Sequence, residues 1–150
     1  MDISSLIKSP SVAQVYRAEP GKKLARPLFL STVQAGFPSP AEDYIEQSLD
    51  LNEYLVKNPA ATFFVRVAGD SMTGAGIHHD DILVVDRSLT PASGKIVIAI
   101  VDGELTVKRF LQYGSRCRLA AENPDYSDIE IENDMNLEIW GVVTTSIHNL

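Results

Sequence analysis

The chain contains one cysteine, Cys117, which excludes an internal disulfide and any metal site built from several cysteines. No apolar run approaches ~20 residues, the length that a membrane-spanning helix needs. The first residues, Met1 to Leu6, lack the basic and then apolar layout of a secretory signal peptide. These absences predict a cytoplasmic protein. Its 150 residues, 45% of them hydrophobic, are typical of one globular domain with room for an arm.

Basic residues are scarce, and the net charge is −7 at pH 7. Because DNA phosphates are bound by clustered lysine and arginine, we expect no direct, sequence-specific DNA binding. The charge is unevenly distributed: residues 1–35 carry five basic and two acidic groups, whereas residues 36–150 carry eight and eighteen. A segment of net charge +3 therefore precedes a body of net charge −10.

The first 35 residues show neither strand nor helix periodicity, and Pro10, Pro20 and Pro27 interrupt every candidate element. We interpret them as an extended N-terminal arm that docks on the body in places, best at Leu28 to Leu30.

Two short helices are predicted after the arm. Ser39-Pro40-Ala41-Glu42 combines a capping serine, a proline suited to the first helical position and the glutamate of a capping box. An apolar stripe follows at Tyr44, Ile45 and Leu49. The second helix is predicted from Leu51 to Val56, and Asn58-Pro59 ends it.

From residue 61 the chain favours strands, because short runs of β-branched and aromatic residues alternate with Gly, Pro, Asn and Asp. The predicted strands are 62–67, 82–85, 96–101, 106–111, 118–121, 129–131 and 137–147. The fold class is therefore mainly β: a compact antiparallel body with one or two short helices.

Asp102-Gly103 lies between two apolar runs and favours a two-residue type I′ hairpin. That turn pairs residue 97 with 108, 98 with 107, 99 with 106 and 100 with 105. Lys108 then lies opposite Val97 among apolar neighbours, where loss of hydration lowers the pKa of its amine. The alternative is a lysine on the solvated face of an edge strand.

Ser71 lies in the turn Gly69-Asp70-Ser71-Met72, directly after a predicted strand. A serine hydroxyl is a poor nucleophile until a base removes its proton, and a neutral lysine is one such base. The turn can also aim backbone N–H groups at a developing oxyanion, and the candidate donors are the amides of Asp70 and Ser71. Serines in glycine-containing turns are commonly inert, so the Ser71/Lys108 pair is a hypothesis.

Other chemistry is disfavoured. His78, His79 and His148 lie in polar segments and are expected to be exposed, which argues against a Ser-His-Asp triad. Adjacent His78, His79, Asp80 and Asp81 rarely point the same way, so no metal site is expected. Cys117 is interpreted as a half-buried strand residue. Gly74-Ala75-Gly76 lacks the Gly-Lys-Ser/Thr of a phosphate loop, and no cofactor is expected.

Four motifs together resemble the LexA/UmuD self-cleaving family, peptidase S24. They are Gln34 to Pro40, Gly69 to Met72, Gly76-Ile77 with Asp80 to Asp86, and Ile98 to Lys108. The resemblance implies the peptidase fold of that family, with Ser71 as nucleophile, Lys108 as general base and Ala35-Gly36 as the scissile bond. It thus divides the chain into a cleavable arm, 1–35, and a mature serine–lysine peptidase domain, 36–150. A small Ala35 and a flexible Gly36 suit such a bond.

Repressors of this family carry an N-terminal helix-turn-helix domain. The 35 residues before the predicted cut show no paired helices, so we expect a protein of the UmuD type, although Ala-Gly at the cut is more typical of LexA. The resemblance further implies a homodimer, stimulation by a RecA-type nucleoprotein filament, and service to a Y-family translesion polymerase in SOS mutagenesis. Two alternatives stay open: a non-catalytic interaction module, and an intermolecular peptidase related to signal peptidase.

Overall fold

The computed structural model describes residues 11–19, 21, 25–29 and 46–150. The chain divides into two units, Met1–Ala18 with Asn58–Leu150, and Glu19–Lys57. The strands are β1 Val12–Arg17, β2 Ala25–Phe29, β3 Glu46–Asp50, β4 Thr62–Val67, β5 Ile82–Asp86, β6 Ile96–Val101, β7 Glu104–Tyr113, β8 Arg116–Ala120, β9 Ile129–Glu130 and β10 Leu137–Ile147. Helix α1 spans Leu51–Leu55, and short 3-10 helices span Pro59–Ala61 and Thr73–Ala75. None of the helices described here is long and apolar enough to cross a membrane.

The larger unit contains an eight-stranded antiparallel sheet with the strand order β1-β4-β5-β10-β6-β7-β8-β9. Every strand predicted between residues 62 and 147 forms, and the mainly β fold class is confirmed. Side chains pack on both faces of the sheet. One cluster includes Met72, Leu105 and Val107, and a second includes Val97 and Phe110. β7 therefore has apolar neighbours on both faces.

The β6–β7 hairpin has the predicted register, with Val97 opposite Lys108 and Ile100 opposite Leu105. Asp102 and Gly103 have φ angles of 48° and 87°, the left-handed region that a type I′ turn requires at both central positions. The turn therefore determines which residues of β7 share a face with Lys108.

Strand β1 belongs to the predicted arm, and the sequence did not indicate it. It pairs with β4 at one edge of the sheet, and its Val12 is completely buried in the larger apolar cluster. The pairing register shifts between Val12 and Gln14. Such an irregularity breaks the two-residue alternation by which strands are recognised.

In the smaller unit, β2 pairs antiparallel with β3 and α1 follows. The second predicted helix is confirmed, and Asp50 caps it by accepting the N–H of Asn52 at 2.9 Å. The first predicted helix is wrong at its end, because Leu49 lies in β3 and is paired with Arg26; cross-strand pairing outweighs a weak helical pattern here. The predicted start at Ser39, with Tyr44 and Ile45, lies outside the described residues, as does Leu30.

Candidate active site

A cleft of about 680 Å³ opens on the larger unit. It is lined by residues 68–71 after β4, by the end of the β6–β7 hairpin with Lys108, by Ser11, and by residues 126, 127 and 129. The cleft therefore brings together the two side chains, Ser71 and Lys108, that the sequence singled out 37 positions apart.

Ser71 is carried by the loop between β4 and β5, residues 68–81, which we call the serine loop. Gly69 has a φ of 85°, which favours glycine, and its N–H donates to Nδ1 of His79 at 3.0 Å. On the other side of Ser71, Met72 is buried in the core and its carbonyl accepts the N–H of Ile77. An apolar anchor thus holds the loop while the serine faces the cleft.

Lys108 is 7% exposed, and its Nζ donates to Oγ of Ser71 at 3.1 Å and to the carbonyl of Val107 at 3.2 Å. Burial lowers the pKa of Lys108 below its ordinary value near 10.5, and the charge of Asp128 opposes this by raising the pKa. The alternative prediction, that Lys108 lies on the solvated face of an edge strand, is therefore wrong. Its amine is placed to lose a proton to solvent and then to accept the proton of Ser71.

The candidate oxyanion donors are the backbone amides of Asp70 and Ser71, two residues that line the cleft. Within the described residues, neither the N–H of Asp70 nor that of Ser71 donates a hydrogen bond. Two such amides next to a nucleophile can receive the negative charge that develops on an attacked carbonyl oxygen.

The β8–β9 loop, residues 121–128, contains a group of residues that hold the serine loop, and the sequence did not indicate them. The N–H of Glu122 donates to the carbonyl of Ser71 at 2.9 Å, and Nδ2 of Asn123 donates to the carbonyl of Asp70 at 2.8 Å. The hydroxyl of Tyr126 donates to the carboxylate of Asp70, and this hydrogen bond raises the pKa of Tyr126. Asn123-Pro124 indicates a turn in the sequence, but nothing in it indicates which loop the turn contacts.

The histidines are exposed, as predicted, and no histidine in the described part of the chain contacts the Ser71 hydroxyl. One of them nevertheless has a defined partner: Nδ1 of His148 lies 2.5 Å from the buried carboxylate of Asp81. Among the residues described, no cluster of three His, Cys, Asp or Glu side chains could hold a metal ion. Cys117 is half-buried in β8, and burial raises the pKa of its thiol, which disfavours the thiolate.

The predicted scissile bond, Ala35-Gly36, lies outside the described residues. The structure thus gives the geometry of the serine and the lysine, and the bond that they would attack stays a prediction.

Comparison with known proteins decides the family. Residues 27–144 match the family described as Peptidase S24-like. The chain belongs to this family. Similar proteins include protein SamA of Salmonella typhimurium strain LT2, which is 53% identical over 81% of this chain and 84% of SamA. Protein ImpA of Escherichia coli is 53% identical over 82% of this chain and 83% of ImpA. The LexA repressor of Photorhabdus laumondii is 37% identical over 80% of this chain but only 60% of the repressor.

The family predicted from the motifs is therefore confirmed, and membership of a peptidase family agrees with the predicted enzyme class. The S24 match spans both Ser71 and Lys108, and it also spans the predicted scissile bond.

Proposed function

We propose that this S24 protein is a serine peptidase that cuts its own chain at Ala35-Gly36. The observation that carries the proposal is the 3.1 Å contact between Ser71 Oγ and the Nζ of a buried lysine. Burial favours the neutral amine, and the contact gives that amine direct access to the hydroxyl proton.

In the proposed reaction, neutral Lys108 takes the proton from Ser71 as Oγ attacks the carbonyl carbon of Ala35. The oxyanion is stabilised by the amides of Asp70 and Ser71. When the C–N bond breaks, the ammonium of Lys108 gives its proton to the departing nitrogen of Gly36. A water molecule then attacks the acyl group on Ser71, and Lys108 takes a proton from that water. When the ester bond breaks, Lys108 returns the proton to Oγ of Ser71, and a chain that ends at Ala35 is released.

A weakly active catalytic site is enough to cleave a tethered bond, because the linked substrate has a high effective concentration. It can also stay slow until a partner favours the productive pose. We propose that a RecA-type nucleoprotein filament is that partner in the cytoplasm. The product, residues 36–150, would then act as a homodimer beside a Y-family translesion polymerase in SOS mutagenesis. Support for this wider role comes from the S24 match and from the likeness to SamA and ImpA over most of their length.

The test is intact mass spectrometry of the purified chain during incubation, with Ser71→Ala beside it. We expect two products, one ending at Ala35 and one beginning at Gly36, from the unchanged chain alone. Ser115→Ala, an exposed serine in the turn between β7 and β8, is the matched control and should cut normally. Cutting by Ser71→Ala, or at another bond, would contradict the proposal. A chain left intact even with the filament present would favour a non-catalytic interaction module.

A further inference from the structure

Ser71 lies between two peptide groups that the β8–β9 loop holds. The carbonyl before it, that of Asp70, accepts Nδ2 of Asn123 at 2.8 Å. The carbonyl of Ser71 itself accepts the backbone N–H of Glu122 at 2.9 Å. Hydrogen bonds on both flanking peptide planes restrict the two backbone dihedrals of the serine, and these set the directions of its N–H and of its side chain.

The bond from Asn123 has a specific geometric consequence. In a trans peptide the carbonyl and the following N–H point in opposite directions. Holding the carbonyl of Asp70 therefore aims the N–H of Ser71 away from Asn123. That N–H is one of the two candidate oxyanion donors.

The amide of Asn123 is itself fixed at both ends. Its Oδ1 accepts the N–H of Asp125 at 2.9 Å, so its NH₂ group faces Asp70 and, at 3.5 Å, the hydroxyl of Thr73. This side chain is pre-organised to donate rather than free to rotate.

The two loops also approach unusually closely. The N–H of Gly74 donates to the carbonyl of Glu122 at 2.6 Å, and a Cβ at position 74 would lie 2.5 Å from that oxygen. The side chain of Glu122 pairs with Nε of Arg109 at 2.5 Å, and Arg109 follows Lys108 in β7. The loop that holds Ser71 is thus anchored to the strand that carries its candidate base.

From these contacts we infer that Asn123 is a positioning residue for self-cleavage, which fixes the Asp70–Ser71 peptide so that the Ser71 N–H points at the developing oxyanion. The inference rests on the proposed function. It adds a residue that acts through the peptide group, without touching the bond that is cut.

Asn123→Asp tests the inference with little change of shape. The aspartate can still accept the N–H of Asp125, but it has no NH₂ group to give to the carbonyl of Asp70. We expect the rate of self-cleavage to fall by about tenfold to a hundredfold, somewhat less than when an oxyanion donor is removed outright. Tm should change little. Asn123→Ala should show the same loss without an added charge near Lys108, so its rate should fall by the same factor at every pH.

Asn133→Asp, an exposed residue, is the matched control for the change of charge and should cut at the normal rate. Normal cutting by both Asn123 variants would overturn the inference. So would a displaced pH midpoint in Asn123→Ala, which would place the effect on the base, or a fall in Tm that accounts for the lost rate. Amide hydrogen exchange gives a readout apart from cleavage: exchange should quicken in residues 69–76 of Asn123→Asp, and unchanged exchange there would also overturn the inference. If the unchanged chain does not cut, the proposed function fails, and exchange alone decides the positioning role.

Discussion

Lys108 lies in a strand that has apolar neighbours on both faces. Within the described part of the chain, its amine has two polar contacts, the Ser71 hydroxyl and the Val107 carbonyl. Neither contact carries a negative charge. Removal from water therefore disfavours the ammonium, and the negative charge of Asp128 opposes this effect by raising the pKa of Lys108. In the proposed reaction, the reactivity of Ser71 depends on this balance between burial and the charge of Asp128.

Substitution of Asp128 is expected to change the pKa of Lys108, because the charge of its carboxylate raises that pKa. Asp128→Asn removes a negative charge that raises the pKa of Lys108, while an amide oxygen can still accept the N–H of Ala121. The pKa of Lys108 should fall further, so a larger fraction of the amine is neutral at neutral pH. We expect faster self-cleavage there, with the midpoint of the pH–rate curve moved to lower pH.

Asp125→Asn is the matched control, since it makes the same change of charge in the same loop but does not affect the pKa of Lys108. A midpoint that stays in place in Asp128→Asn, or that moves to higher pH, would show that Lys108 is not the titrating group.

Among the elements, the β6–β7 hairpin could be predicted from sequence because Asp102-Gly103 demands one turn type, and that turn determines the pairing of Lys108 with Val97. β1 could not, because an irregular register and few apolar residues hide a strand that is recognisable only from its partner, β4. The hydrogen bond from Asn123 to the carbonyl of Asp70 joins residues 53 positions apart, and no periodic pattern in the sequence indicates it. Local patterns thus predicted the strand that carries Lys108 and the turn that carries Ser71, but not the β8–β9 loop that holds Ser71 in place.

The end of the serine loop is tied to β10 through Asp81. This buried carboxylate accepts the N–H of His78 at 2.7 Å and the hydroxyl of Ser146 at 3.3 Å, beside its contact with His148. Burial alone would raise the pKa of Asp81, but these hydrogen bonds outweigh burial and hold the pKa below its ordinary value of 3.8.

Asp81→Asn should lower the free energy of unfolding by about 2 kcal/mol, because buried donors lose a charged acceptor. Urea unfolding measures this, with Asp80→Asn, an exposed neighbour, as the control that should change little. Since the folded-state pKa is lowered, the contribution of Asp81 is present above about pH 4 and is lost as the pH falls through the folded-state pKa. The difference between variant and unchanged protein should therefore shrink in acid, and a difference that grows would contradict this assignment.

At the scale of the whole molecule, the predicted arm is part of the sheet as well as the proposed substrate. β1 covers the edge of β4, and its Val12 belongs to the main apolar cluster. Cleavage after residue 35 would leave these contacts without a covalent link to the body. An exposed β4 edge would then be open to pairing with another strand.

Removal of residues 1–35 should therefore destabilise the body. Loss of the Val12 contacts alone is worth about 2 kcal/mol, or roughly 8 °C in Tm for a domain of this size. Thermal unfolding of residues 36–150 beside uncut Ser71→Ala measures the change. An equal or higher Tm for the shorter chain would mean that β1 contributes nothing to the stability of the body.

In the proposed reaction, neutral Lys108 activates Ser71 against the protein's own chain. We would test this first by measuring the rate of self-cleavage by intact mass, from about pH 7 to about pH 10, for the unchanged protein and for Lys108→Arg, whose guanidinium stays protonated throughout. We expect a rate that rises with pH to a plateau, with a midpoint below the ordinary lysine value of 10.5, and no cutting by Lys108→Arg. A rate independent of pH, or normal cutting by Lys108→Arg, would contradict it.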